Sequence, residues 1–144
     1  MTIQSSGIAI SPVLALRIGI RTCCAGDATL ADLMSGAIRL YDEPPRGAEP
    51  VYALFGDVTA ADWSTDFDRG HEQDLAIVVW SQPGGARLAL AAAERFAAIL
   101  NDAPLLLDGH RLVNLRTTEL ASGRDKDTGL ARVTLSLRAV TEVG

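Results

Sequence analysis

His71, Glu72 and Asp74 are the residues of this chain whose types could hold a metal or move a proton. Their spacing argues against it. On a strand, residues 72 and 74 share one face and residue 71 points to the other, so three ligands do not converge. The cluster reads as a solvated strand entry. His110 follows Asp108-Gly109 and reads as a turn residue with no partner near it in sequence. Asp66-x-Asp68 and Asp125-x-Asp127 resemble the opening of a calcium loop. Neither has glycine at its sixth position or glutamate at its twelfth, so the EF-hand pattern fails. Gly84-Gly85 opens a helix, yet neither GxGxxG nor a Walker lysine accompanies it, and a tight strand-to-helix turn explains it. Trp80 reads as a core or interface anchor. Nothing joins a nucleophile to a base, so no enzyme, metal or cofactor is expected.

Cys23 and Cys24 are adjacent, and a bridge between neighbours would strain the peptide. Two free thiols and a reducing compartment are expected, with one thiol packed as a small hydrophobe. No basic n-region precedes an apolar run, and Pro12 and Arg17 interrupt Ile8–Ile20, so no signal peptide is read. No apolar run approaches the roughly 20 residues of a membrane span. The chain is expected in the cytoplasm when made.

Charge is the more informative feature. The chain carries a formal net charge of −5, and positions 57–74 alone hold six carboxylates against Arg69. A duplex-binding protein needs the opposite sign, because its affinity comes from neutralising phosphates. The twelve arginines and Lys126 form no tract, so sequence-specific nucleic-acid binding is not expected. The acidic residues Asp62, Asp66 and Asp68, with Arg69, form one candidate contact patch. Arg124, Arg132 and Arg138 form its opposite. Only 22% of residues are charged, which is low for the large surface of a small monomer and hints at a subunit interface.

At 144 residues the chain fits one domain. A domain of this size buries roughly 70% of its unfolded surface and holds a core without staples. Residues 1–10 read as a flexible leader and 11–144 as the domain. Ser11-Pro12 starts a helix to Cys23 or Cys24, because Ser caps well and Pro at the first turn loses no hydrogen bond. Gly26 stops it, and Asp27 caps a short second helix through about Met34. Together they read as an interrupted N-terminal helix. Strands are expected at 36–41 and 51–55, with a long acidic loop at 56–70. Gln73–Ser81 is apolar on both faces and should be central in a sheet. A helix over 85–101 presents Leu88, Ala92, Phe96, Ile99 and Leu100 as one apolar stripe. A hairpin follows, Leu105–Leu107 and Leu112–Thr118 around Asp108-Gly109. A loop at 121–128 then precedes a last strand, Leu130–Thr141, in which apolar and polar residues alternate. The class is α+β: a mostly antiparallel sheet packed against one long helix and the interrupted N-terminal helix.

The order of several short pieces resembles the small tail-completion, or tail-terminator, proteins of long-tailed phages and gene transfer agents. The pieces are Ser11-Pro12, Tyr41-Asp42 with Pro44-Pro45, and Trp80-Ser81 with Gly84-Gly85. Leu105-x-Leu107-x-Gly109-His110, Arg124-Asp125-x-Asp127 and Arg138-Ala139-x-Thr141-Glu142 complete them. The resemblance covers most of 11–142. It implies a structural protein that forms a homohexameric ring, ends the tail tube and meets the head connector. DNA would pass through the ring without sequence-specific binding. Such a protein would assemble in the cytoplasm and end in the tail of a phage-like particle. No catalytic residue carries over. The acidic loop docks on arginines of a neighbouring subunit, lines the lumen, or is only a solvated surface; in the first two cases it is expected to be mobile in the free subunit and ordered in the particle. Two alternatives stand beside this reading: a small cytosolic α+β enzyme or ligand-binding domain, and a head–tail connector or tube protein of the same particle.

Overall fold

The computed structural model describes residues 11–144; the expected leader, 1–10, lies outside the described residues. Two helices open the described chain, α1 (Pro12–Cys24) and α2 (Ala28–Leu33). Ser11 caps α1 as its pattern predicts, its hydroxyl accepting from the N–H groups of Val13 at 3.2 Å and Leu14 at 3.4 Å. Asp27 caps α2, accepting from the Leu30 N–H at 2.8 Å. Strands β1 (Leu40–Tyr41), β2 (Tyr52–Asp62) and β3 (Gly70–Ser81) follow, then α3 (Ala86–Leu100). Strands β4 (Leu106–Leu107), β5 (His110–Arg124) and β6 (Ala131–Val143) end the chain.

The six strands form one sheet in the order β1-β2-β3-β6-β5-β4. Four of its five pairings are antiparallel, and β1–β2 is parallel, so the sheet is mixed. The class α+β stands, and two details change. The parallel pair makes the sheet less uniform than expected. Also, α1 has 13 residues against 15 in α3, so the helical layer has two long members and not one.

The helices cover one face of the sheet. Leu75, Ile77 and Val79 of β3 and Val133, Leu135 and Leu137 of β6 are buried against them. The alternate residues Asp74, Ala76, Val78, Trp80, Arg132, Thr134, Ser136 and Arg138 lie on the other face, half-buried or exposed. Strand β3 is central, as its two apolar faces predict. The buried stripe of α3 is Ala89, Ala92, Ala93, Phe96 and Leu100. Leu88 and Ile99, expected in that stripe, are only partly buried at its flanks. Alanines let the helix sit close to the sheet, and Phe96 fills the space between.

Three boundaries differ from the sequence reading. The strand expected at 36–41 shrinks to two residues. The long loop expected at 56–70 is a hairpin whose strands run to Asp62 and from Gly70, which leaves only 63–69 as loop. The far half of β2 is exposed on both sides of its chain, so no hydrophobic alternation marks it as strand. For the same reason β5 runs on to Arg124, beyond the expected Thr118. His110 is not an open turn residue. It begins β5 and is buried, because Gly109, at φ +75°, completes the two-residue turn before it.

Candidate assembly surface

The acidic hairpin tip is a built structure. The Trp63 N–H donates to the Gly70 carbonyl at 2.8 Å, closing the β2–β3 ladder. Thr65 N–H donates to the Asp68 carbonyl at 2.8 Å, and the Thr65 hydroxyl accepts from the N–H groups of Phe67 and Asp68. Ser64 donates its hydroxyl to Asp62 at 2.5 Å and accepts from the Gly70 N–H at 3.3 Å. These bonds consume the local polar groups and leave Asp66 and Asp68 in solvent. Between them stands Phe67, 94% exposed. The Arg69 carbonyl accepts from Val143 N–H at 2.8 Å, tying the tip to the end of β6, while the Arg69 side chain is exposed. At its exposure the Phe67 ring adds almost nothing to the packing of the described residues. Sequence reasoning weighed the charges and passed over Phe67, although Asp66-Phe67-Asp68 was in view.

The expected basic patch is divided. Arg124 ends β5 and is exposed. Arg132 lies on the uncovered face with its guanidinium 5.9 Å from the centre of the Trp80 ring, a cation–π contact. Gly123, opposite it in the ladder, leaves the room this requires: a Cβ there would meet the Arg132 Nη2 at 3.1 Å. Arg138 sits mid-strand and pairs with Glu72 at 2.8 Å. That pair takes the glutamate out of the His71/Glu72/Asp74 group. Asp125 shapes the β5–β6 turn, accepting from the Thr128 hydroxyl at 2.7 Å and its N–H at 2.8 Å. Those bonds hold its carboxyl below the ordinary range. Arg111 pairs with Glu142 at the opposite end of the sheet.

The tip and the arginines Arg124 and Arg132 stand at opposite ends of the sheet. Gly70, where the tip rejoins the sheet, pairs with Glu142, while Arg124 pairs with Ala131. The intervening length of β6 spans about 35 Å at the usual rise per residue. Within one subunit these charges do not meet.

Two unforeseen contacts stiffen the helical layer behind this surface. Arg95 of α3 grips the Asp27 cap through both carboxylate oxygens, at 2.9 and 2.6 Å. The guanidinium and the Leu30 N–H hold that carboxyl down at about 2. Arg17 and Arg21 of α1 stack on the Phe55 ring and share Asp42. Cys24 is buried, and burial pushes its thiol up to about 12, while Cys23 is exposed. Among the described residues no group of three or more His, Cys, Asp or Glu side chains is placed to hold a metal, and no helix is long and apolar enough to cross a membrane. A groove of about 380 Å³ beside the β4–β5 turn is lined largely by Pro104, Leu105, Leu106, Leu107 and Leu112, with Arg111 at its rim.

The fold is a one-sided α+β sheet with a built acidic tip, split basic residues and an uncovered sheet face. The family model described as "Tail completion protein gp17" matches residues 19–142. The chain belongs to that family, which is one of structural tail proteins and not of enzymes. The fold is also similar to a solved chain described as "Virion of native gene transfer agent (GTA) particle". The two share 30% identity with a TM-score of 0.83, over 93% of this chain and 99% of that one. A search of curated proteins finds no match.

Proposed function

We propose that this protein forms a six-membered ring that ends the tail tube of a phage-like particle and joins it to the head connector. The observation that carries the reading is the near-complete overlap with a chain of a gene transfer agent virion, at 99% of that chain's length. The subunit's partners are then its own copies, the tail tube protein below and the connector protein above. The chain assembles in the cytoplasm and ends in the particle tail. DNA passes through the lumen and meets no basic tract that would hold it.

A ring requires a heterologous interface, with two different patches on each subunit. Asp62, Asp66, Asp68 and Arg69 lie on or beside the hairpin tip, and Arg124, Arg132 and Arg138 lie on β5 and β6. Arg124 and Arg132 are too far from the tip to meet it within one subunit, whereas Arg138 already pairs with Glu72. In this reading Phe67 supplies the apolar contact and the aspartates its polar rim, the usual division at an interface.

Deleting the gene in a producing cell tests the reading. Electron microscopy should show tubes of irregular length, or tubes without heads. Tubes of normal length joined to heads would sink the assignment. Replacing Asp62, Asp66 and Asp68 together with Asn tests the docking role. Assembly should fail and be partly rescued by reversing a partner arginine. Normal particles that deliver DNA poorly would move the tip to the lumen instead.

A further inference from the structure

Among the described residues, each side of the sheet has a long stretch of strand edge with no backbone partner. Along β5, β4 pairs with His110 and Arg111, the Asp102 N–H donates to the Leu115 carbonyl, and the Thr117 N–H donates to the Asn101 side chain. The β5–β6 register is irregular near Val113 and Thr118, and such bulges blunt an edge. Beyond them, from Leu120 to Arg124, none of these devices is present. Along β2, β1 pairs with Ala53 and Leu54, Arg17 donates to the Gly56 carbonyl at 3.4 Å, and the register is irregular between Phe55 and Val58. From Val58 to Asp62 no described residue pairs with the edge. Neither stretch contains proline or lysine, the residues that commonly protect edges.

We propose that these two stretches pair with each other between subunits, Val58–Asp62 of one copy adding antiparallel to Leu120–Arg124 of the next. The inference rests on the ring reading above and names its joint. Direction is settled by the fold. In the order β2-β3-β6-β5 every step is antiparallel, so β2 and β5 run oppositely, and a sheet that continues from one subunit into the next keeps them so.

Hydrogen-bond direction narrows the register. The Trp63 N–H points to β3, so by alternation those of Asp62, Ala60 and Val58 point outward. The Asp125 N–H points to the Leu130 carbonyl on the facing strand, so those of Arg124, Ser122 and Leu120 point outward. Full overlap places Ala60 opposite Ser122, Val58 opposite Arg124 and Asp62 opposite Leu120. It also places Ala61 opposite Ala121 and Thr59 opposite Gly123. The facing side chains are mostly small and do not obstruct the approach.

The geometry closes. Ala61 is level with Val140 on β6, whereas Ala121 is level with Thr134, a stagger of six residues per subunit. Six subunits with four long strands each then give a strand tilt of about 45°, at the upper end of what closed barrels adopt. The hairpin tip beyond Asp62 comes level with Arg116 of the neighbour, which sits directly across from Arg138. The acidic tip would offset the repulsion between those two arginines.

The test uses particles from cells expressing Ala61→Cys with Ala121→Cys on a Cys23→Ser background. These positions form a non-hydrogen-bonded pair, with Cα atoms about 4.5 Å apart, inside the range for a disulfide. Oxidised particles should give a ladder of cross-linked species on a non-reducing gel, up to six copies. Each single variant should stay monomeric. Cross-links in a single variant would mean a two-fold contact and overturn the pairing. So would a cross-link to a different tail protein, or a ring visible at the tube end in the double variant without cross-links. If microscopy shows no ring of this chain, the ring reading falls and the pairing with it. Ala60→Pro supplies a second route. It leaves the bonds to β3 intact and should give a folded subunit lost from particles; normal incorporation would overturn the pairing.

Discussion

Replacing Phe96 with alanine tests the packing that holds the assembly face in place. Phe96 is fully buried and is the largest such side chain in the described core. Its helix, α3, packs against β3, β5 and β6. Truncation removes most of a ring from a site walled by Ala89, Ala92, Ala93 and sheet residues. The alanines have no side chain with which to follow the void, so a cavity remains. Loss of transfer energy plus the cavity costs about 3–5 kcal/mol. A domain of this kind has roughly 5–15 kcal/mol in total, so the variant should fold but with much of its reserve gone. With a urea dependence of about 2 kcal/mol per M, the midpoint should fall by about 2 M. Ile99→Ala, at the flank of the stripe, should cost clearly less. Equilibrium urea melts followed by circular dichroism measure both. A Phe96→Ala loss under about 1 kcal/mol, far below the buried-aromatic range, would refute the helix register, and so would a larger loss for Ile99→Ala.

Asp27 gives a pH signature. Its folded carboxyl titrates at about 2 and its ordinary value is 3.8, so its contribution is present above 3.8 and lost as pH falls through 2. The difference in Tm between the native chain and Asp27→Asn, which keeps a capping side chain, should therefore shrink from pH 5 to pH 2; a constant gap would exclude the Arg95 pair as its source. Native protein should take up one equivalent of a thiol reagent at Cys23, and a second only on unfolding, because Cys24 is buried and its thiolate is disfavoured. Mass spectrometry showing two rapid additions to folded protein would contradict that burial. Gly70→Ala should lose stability and expression, since its Cβ would meet the Thr141 backbone oxygen at 2.8 Å; a melting curve like that of the native chain would show that the strand junction yields.

Local signals settled much of this protein. Ser11-Pro12, Asp27 and Asp108-Gly109 act over a few residues, so caps and a hairpin turn were legible without tertiary context. Alternation in Ala131–Ala139 marked β6, because one buried and one uncovered face impose a period of two. The run of apolar residues in β3 marked a central strand for a related reason. The far halves of β2 and β5 carried no such mark. Most of their side chains are exposed on both faces, so composition there was free of the alternation that burial imposes. The same lack of cover made a strand look like a loop, and it leaves the edge exposed for a partner.

The acid-rich segment was legible as a charge cluster, but its shape was not. Thr65 and Ser64 fold it into a hydrogen-bonded tip, and only the folded chain shows Phe67 standing clear of it. Arg138 read as a free cation until the register set it beside Glu72, and His110 read as an open turn residue until the fold buried it at the start of β5. The Asp27–Arg95 grip joins residues 68 positions apart, and only the packing of α3 against α2 brings them together. Composition and spacing offered no pairing of a nucleophile with a base and no convergent set of metal ligands. Which edges stay bare, and at which ends of the sheet the charges fall, was decided by strand order and register. Those depend on contacts between residues far apart in the chain, which local sequence does not encode.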